Sequence, residues 1–403
     1  MVKILSPKSI LIVTELFYPE EFKVNDVALY WIKKGFKVDV LTLTPTYPMG
    51  KVFQGYKNSI LRKDNFQGVG VFRVRAISGY QKSLFKKILK YFNFMIIGSI
   101  VGLFIGRRYD YVFGFNASSL TSMVPAYIIR KIYKKPLMLW VQDLWPDSVY
   151  AYGFKKTKFI SYILDKFVKV IYQNISSIAI SGKGFESKLK PYVKKNIKFN
   201  YLPNWADELN MSLEGIKLSK DEKVHFTFAG NIGKVQNLEN IIKAFSNLPE
   251  PYLKKAQLNI IGDGSNLESL RGLSSNNNKI IFHGKIKRSD MSRYYKSSDF
   301  LIVSLIDKPI FDVIVPAKVQ TYIAAKRPIL AVINGDSAAI IDENNLGLSV
   351  GPSNIPLIQE AMQKCINMTD ADKAGFTKNS EKVLKTVFNK DAILNNITNI
   401  LIN

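Results

Sequence analysis

The chain has 403 residues and is 47% hydrophobic, long enough for two ordinary domains. Its single cysteine, Cys365, excludes an intramolecular disulfide and a cysteine metal cluster and points to a reducing compartment; two histidines, His225 and His283, exclude a histidine-rich metal site. The net charge of +25 is one-sided, with 33 Lys and Arg against 11 Asp and Glu in residues 1–200 and 24 against 21 in the rest, so the first half seeks a polyanion, either nucleic acid or an anionic membrane.

Residues 1–8 show no signal-peptide pattern, and the apolar run at 10–13 is too short for one. A buried parallel strand is predicted over 9–16, a helix over 27–34 after Asn25-Asp26, a stop at Gly35, and a second strand over 37–43. That is a βαβ unit without the G-x-G-x-x-G of a dinucleotide-binding dehydrogenase. Residues 45–67 are predicted as a polar loop.

Residues 81–108 carry the next signal. On a helical wheel Lys82, Lys86, Lys87 and Lys90 fall on one arc, and bulky residues including Phe85 and Phe92 on the other. A basic face against an apolar face suits a helix lying on a membrane surface. The apolar run 91–106 falls short of the ~20 residues that a spanning helix needs. We assign 95–106 to the core and the basic half to reversible, salt-sensitive binding of an anionic membrane, which we favour over nucleic acid.

A strand at 137–141 delivers Gln142 and Asp143 to the carboxyl end of an open sheet, where ligands bind. Asp143 is placed either as an active-site acid or as a loop-fixing cap; Asp147 fits a cap. A basic, aromatic helix is predicted over 154–173, strands at 177–181 and 198–202, and a polar linker at 204–220.

The second half starts with a strand at 224–229, a turn through Gly230, Asn231, Gly233 and Lys234, and a helix at 238–245. Glycines permit close backbone approach, and Lys234 offers a point charge to a diphosphate. Strands at 258–261, 279–282 and 299–305 follow. The segment 304–328, SLIDKPIFDVIVPAKVQTYIAAKRP, reads as a strand end, a loop and a helix opening near Val315-Pro316. Its N–H groups and positive dipole end suit a phosphate. Asp370 and Asp372 superficially form D-x-D, but their place at a helix start makes them caps, and no metal is expected.

This segment resembles the donor-sugar segment of the family 4 GT-B glycosyltransferases, in the WbuB-type L-fucosamine transferase branch. So do LFYPEEFKVNDVA (16–28), VQDLWPDSV (141–149), LPNWAD (202–207) and FAGNIGKVQNLENII (228–242), in the same order. The resemblance implies an α/β fold of two Rossmann-like doubly wound domains facing a cleft. An acceptor domain, 1–205, would be joined by a returning helix at 388–403; a donor domain would cover 206–387. It further implies a retaining, metal-independent transfer without a cofactor. The donor would be a UDP-sugar, N-acetyl-L-fucosamine or a related 6-deoxy-aminosugar. The acceptor would be an undecaprenyl-diphosphate-linked glycan of O-antigen or capsule synthesis, at the inner face of a bacterial plasma membrane.

Carried onto this sequence, the resemblance places Gly230, Asn231, Gly233, Lys234, His283, Ile286, Asp312, Ile314, Val315, Pro316, Ala317, Lys318, Gln320 and Thr321 at the donor, and Glu21, Asn25, Gln142 and Asp143 on the acceptor side. Asp143 and Lys234 would be catalytic. Where the family carries an arginine after the first glycine and a lysine before the later one, this sequence has Asn231 and Gln236-Asn237, and the family's two glutamates are replaced by Val313 and Thr321. A UDP-sugar epimerase of the same fold and a non-catalytic membrane-binding module with a degenerate site are the alternatives.

Overall fold

The computed structural model describes residues 7–80, 83–151, 154–206, 208–219 and 221–403, with the side chains of Leu84 and Lys87 left aside. The chain divides into two compact units: 7–202 with Asp391–Asn403, and Pro203–Lys390.

The first unit holds an eight-stranded sheet. Its strands are β1 (Ser9–Val13), β2 (Lys37–Leu43), β3 (Leu61–Phe66), β4 (Val69–Val74), β5 (Tyr111–Asn116), β6 (Leu137–Val141), β7 (Ser177–Ile180) and β8 (Phe199–Tyr201), in the order β3-β4-β2-β1-β5-β6-β7-β8. Every pair is parallel except β3 with β4. β1 and β6 are buried along their whole length, as strands covered on both faces must be, which is why SILIV and LMLWV read as unbroken apolar runs. The helix Lys23–Lys33 buries Val24, Val27, Ala28 and Trp31, an i, i+3, i+4, i+7 stripe. The Trp31 indole donates to Thr398 Oγ1 at 2.8 Å, tying down the returning helix Lys390–Ile402.

Two expectations change here. The polar stretch 45–67 ends in β3, which forms a hairpin with β4 through Gln67 (φ 50°) and Gly68 (φ 90°). Two left-handed residues in a two-residue loop make the turn that suits strand twist. Asn25 and Asp26 do not precede the first helix but lie in its opening turn.

The second unit holds six parallel strands: β9 (Val224–Ala229), β10 (Ala256–Ile261), β11 (Ile280–Gly284), β12 (Phe300–Ser304), β13 (Ile329–Val332) and β14 (Gly347–Val350). Their order is β11-β10-β9-β12-β13-β14. This is the doubly wound order, which reverses between β9 and β12; in the first sheet the reversal lies between β1 and β5. Ligands of such sheets bind beyond the carboxyl ends of the strands at that reversal. Asp370 and Asp372 open the helix Asp370–Thr386, where Thr369 and Asp372 form a reciprocal capping box.

Candidate functional site

At the carboxyl end of β9 the backbone turns through Gly230 (φ +136°). The next loop turns through Gly262 (φ +136°), where a Cβ would lie 1.8 Å from the Gly230 carbonyl oxygen, so only glycine lets the two loops touch. Gly230 N–H donates to the Ile261 carbonyl at 2.9 Å, and Ile232 N–H to that of Asp263 at 2.8 Å. Beside these loops opens a pocket of about 680 Å³, lined by Gly230, Asn231, Gly262, Asp263, Ile286 and Met291 and fringed by Lys285, Lys287 and Arg288. It brings together three of the sequence-predicted residues, Gly230, Asn231 and Ile286. The three cations of the β11 loop went unnoticed in the sequence.

The helix Ala317–Ala324 approaches the same turn from β12. Pro316, extended at φ −61° and ψ 141°, is its cap residue rather than its first helical one. Ala317 is exposed, and Ile314, Val315 and Pro316 are half-buried. The loop before it is pinned by its backbone. The Asp312 carbonyl accepts from Asp336 N–H at 2.6 Å, and a Cβ on Gly335 (φ +69°) would sit 1.9 Å from that oxygen.

Lys318 and Tyr322, one turn apart, both address the end of β9. The Tyr322 hydroxyl accepts from Ala229 N–H at 3.1 Å. The Lys318 ammonium lies 3.6 Å from the centroid of the Phe228 ring and donates to Gln236 Oε1 at 2.6 Å. Its stem passes over Gly230, where a Cβ would come within 2.7 Å of Cε. Burial lowers the Lys318 pKa to about 7. Gln236-Asn237 stand where the resemblance set a lysine, and Lys318 carries a cation to the Gln236 amide from another helix. Lys234 is exposed, and Gly233 precedes it in extended backbone.

Three other donor-side residues turn elsewhere. Gln320 is buried, and with its amide oriented by its neighbours the nitrogen donates to the Pro316 carbonyl at 3.0 Å, so it is spent on its own helix. The Thr321 hydroxyl donates to the Ala317 carbonyl at 3.0 Å. His283 does not line the pocket: its Nε2 pairs with Asn259 Oδ1 at 2.9 Å, in a network with Gln257 and His225. Burial lowers the pKa of both histidines.

In the first unit, Asp143 follows β6. Burial raises its carboxyl to about 6, against the pull of Ser148 Oγ, 3.2 Å from Oδ2, and of the Leu144 amide. Gln142 is half-buried, and its N–H donates to the Asn116 carbonyl at 2.9 Å. Glu21 is exposed. Asn25 binds protein instead of facing out: Oδ1 accepts from Tyr18 N–H at 3.0 Å, and Nδ2 donates to the Glu20 carbonyl at 2.7 Å. The sequence reading overlooked Glu20 and Glu15. Glu20 is buried, its pKa raised by that burial, and it accepts from the amides of Tyr47, Thr46 and Phe17. Glu15, at the end of β1, accepts from Ser118 Oγ at 2.8 Å and faces Lys90 Nζ at 3.6 Å. Lys90 is therefore not on a membrane-facing arc: it is 7% exposed and lies over the Tyr80 ring. Phe85, Lys86 and Phe92 are exposed; Lys82 lies outside the described residues, as does the side chain of Lys87.

Residues 213–383 match the family described as glycosyl transferases group 1. Among curated relatives, WbjE of Pseudomonas aeruginosa, named as a glycosyltransferase, is 27% identical over 62% of this chain and 64% of its own. WcaI of Escherichia coli K12, named for colanic acid biosynthesis, is 24% identical over 57% and 59%. The matches thus span under two thirds of these relatives. Among solved structures, WaaG, a glycosyltransferase involved in lipopolysaccharide biosynthesis, superposes with TM-score 0.64 at 14% identity over 98% and 99% of the two chains. Anabaena HepE in complex with UDP-glucose gives TM-score 0.66 at 12% identity over 97% and 98%. The fold is the GT-B fold.

Proposed function

We propose that the protein transfers a sugar from a UDP-sugar to a polyprenyl-diphosphate-linked glycan, with retention and without a metal, during synthesis of an O-antigen, capsule or related surface polysaccharide. The observation that carries the donor half is the seat of Lys318 against Gly230 and Gln236 at the reversal point of the second sheet. A half-buried ammonium beside a glycine turn and a helix start is a site for a leaving diphosphate. The adjoining pocket, with its glycine backbone and Ile286, suits a planar base.

The acceptor half rests on the relatives named for surface-polysaccharide synthesis and on the basic first 200 residues. Within the reading, N-acetyl-L-fucosamine or a neighbouring 6-deoxy-aminosugar is the donor sugar, as the WbuB-type motifs suggest, and the protein works at the inner face of the plasma membrane. Asp143, protonated near pH 6, is the candidate acid–base group; no nucleophile is assigned. The test is a panel of UDP-sugars with a lipid-diphosphate N-acetylhexosamine, in chelator, with the product's anomeric configuration read by NMR. Transfer with retention is expected; no transfer across the panel, together with no heat on titrating UDP-sugar, overturns the reading. Turnover of UDP-sugar without lipid identifies an epimerase instead.

A further inference from the structure

The helical segment after residue 83 is apolar on both of its faces. It runs through Leu84–Asn93, a π-helical turn at Phe94–Gly98 and Ser99–Ile105. Its inner face buries Phe94, Val101 and Ile105 and, where another helix crosses it, carries Gly98, Gly102 and Gly106. A Cβ on Gly98 would lie 3.0 Å from the Pro125 ring, on Gly102 3.1 Å from the Ile129 side chain, and on Gly106 2.8 Å from it, so side chains of the helix Val124–Tyr133 seat directly on the glycine backbone. Its outer face carries the large apolar residues Phe85, Leu89, Phe92, Ile96, Ile100 and Phe104, from 40% to 77% exposed.

These six recur at intervals of 4, 3, 4, 4 and 4 residues. Over 19 residues an ideal helix at 3.6 per turn would drift about a quarter turn from that spacing. The wider π turn takes up the drift and keeps the stripe straight. A water-facing helix buries its large apolar residues and exposes polar ones. Small residues toward protein and large ones outward is how helices pack in lipid.

Charge flanks the stripe. Lys86 stands near one end and Arg107 and Arg108 at the other, all exposed. Trp145 bridges this segment to the helix Lys158–Tyr172, with ring centroids 6.3 Å from Tyr91 and 6.5 Å from Phe167. That helix exposes Phe159 and Tyr162 among Lys158, Lys166 and Lys169. Ile88–Arg108 is long and apolar enough to cross a membrane. Its glycine face, however, is packed on Pro125, Ile129 and Leu41 of the unit's own core, which leaves one side free.

We infer that this segment beds lengthwise in an anionic bilayer through the six-residue stripe, as a monotopic anchor held by apolar insertion, with the flanking cations on the lipid headgroups. This deepens the peripheral-membrane reading and replaces its salt-sensitive basic face; it stands whatever the protein transfers. The later half, expected in the core, contributes half of the stripe.

The test is sedimentation of the full chain with phosphatidylglycerol–phosphatidylethanolamine vesicles. The chain should stay bound at high salt and leave with detergent. Ile100→Glu/Phe104→Glu should lower partitioning by at least about tenfold, with the circular dichroism melt unchanged because both positions face outward. Release by salt alone, or partitioning unaltered by the substitutions, overturns the inference. So does a lipid-free dimer that ignores vesicles and falls apart on Phe104→Glu, which would make a second copy the occupant. None of these readouts involves a sugar.

Discussion

Lys318→Met is the sharpest probe of the donor site. Methionine keeps an apolar stem over Phe228 and Gly230 and removes only the ammonium. A hydrogen bond to a charged group contributes about 1.5–3 kcal/mol. That corresponds to roughly ten- to hundredfold in UDP-sugar affinity. It lies below the ~4 kcal/mol of a bare charge pair 4 Å apart at an effective dielectric of about 20. A second readout follows from burial. With the pKa lowered to about 7, roughly half the chains carry Lys318 uncharged at neutral pH. A diphosphate favours the ammonium, so binding draws in about half a proton at pH 7. Affinity should be level below pH 7 and fall as pH rises beyond it. Calorimetry with a UDP-sugar, whose diphosphate has no terminal group titrating near neutrality, in two buffers of different ionisation heat measures both. Lys234→Met, at an exposed position, is the control and should change affinity little. Unchanged affinity in Lys318→Met, or collapse in Lys234→Met without proton uptake, would refute the assignment.

Other sites give further expectations. If Asp143 is the acid–base group, transfer should show a pH limb near 6 that Asp143→Asn abolishes; a variant that keeps both rate and limb makes Asp143 a loop-fixing residue. Lys90→Met leaves Glu15 buried without its cation and should cost about 3–5 kcal/mol in urea unfolding, partly recovered in Glu15→Gln/Lys90→Met; a single variant as stable as wild type counts against the pair. His225 and His283, their pKa values lowered by burial, favour the neutral form, so stability is complete above the unfolded value of 6.5 and declines as pH falls through the lower folded values. His283→Gln should flatten that decline in the urea midpoint as pH falls below 6.5; an equal slope in the variant assigns it elsewhere.

The strands at the centre of both sheets were legible because fully buried parallel strands are unbroken apolar runs, as in SILIV and LMLWV. The hairpin was not, because LRKDNF is largely solvent-facing and its Gln-Gly turn lacks the usual Asn or Asp. The helix start at Pro316 and the glycine turn at Gly230 could be read, since proline and glycine carry backbone information. Which lysine serves the turn could not. Lys318 reaches Gln236 across 82 residues of sequence, and only the i, i+4 pairing with Tyr322 hinted at its face. The wheel placed Lys90 outward because it treats the segment as one ideal helix and counts charge, whereas a buried carboxylate at Glu15 draws that lysine in.

That inward lysine ties the proposed anchor to the chemistry of the first unit. The segment that carries the stripe also presents Lys90 to Glu15 and Ser118, at the carboxyl ends of β1 and β5, where that sheet reverses. Lys90 and Phe104 lie on opposite faces of the segment, so these groups stand roughly one helix diameter, ~10 Å, above the bedded face. On the proposed function, the diphosphate of a lipid-linked acceptor would be met at that height without its lipid chain being drawn out of the bilayer. Loss of the anchor should then be selective for embedded acceptors. Ile100→Glu/Phe104→Glu is expected to transfer at the wild-type rate to a short-chain acceptor in solution and at least about tenfold more slowly to a vesicle-embedded one. Equal losses on both would mean that the substitutions damage the site itself, and no loss on either would separate the membrane surface from the reaction.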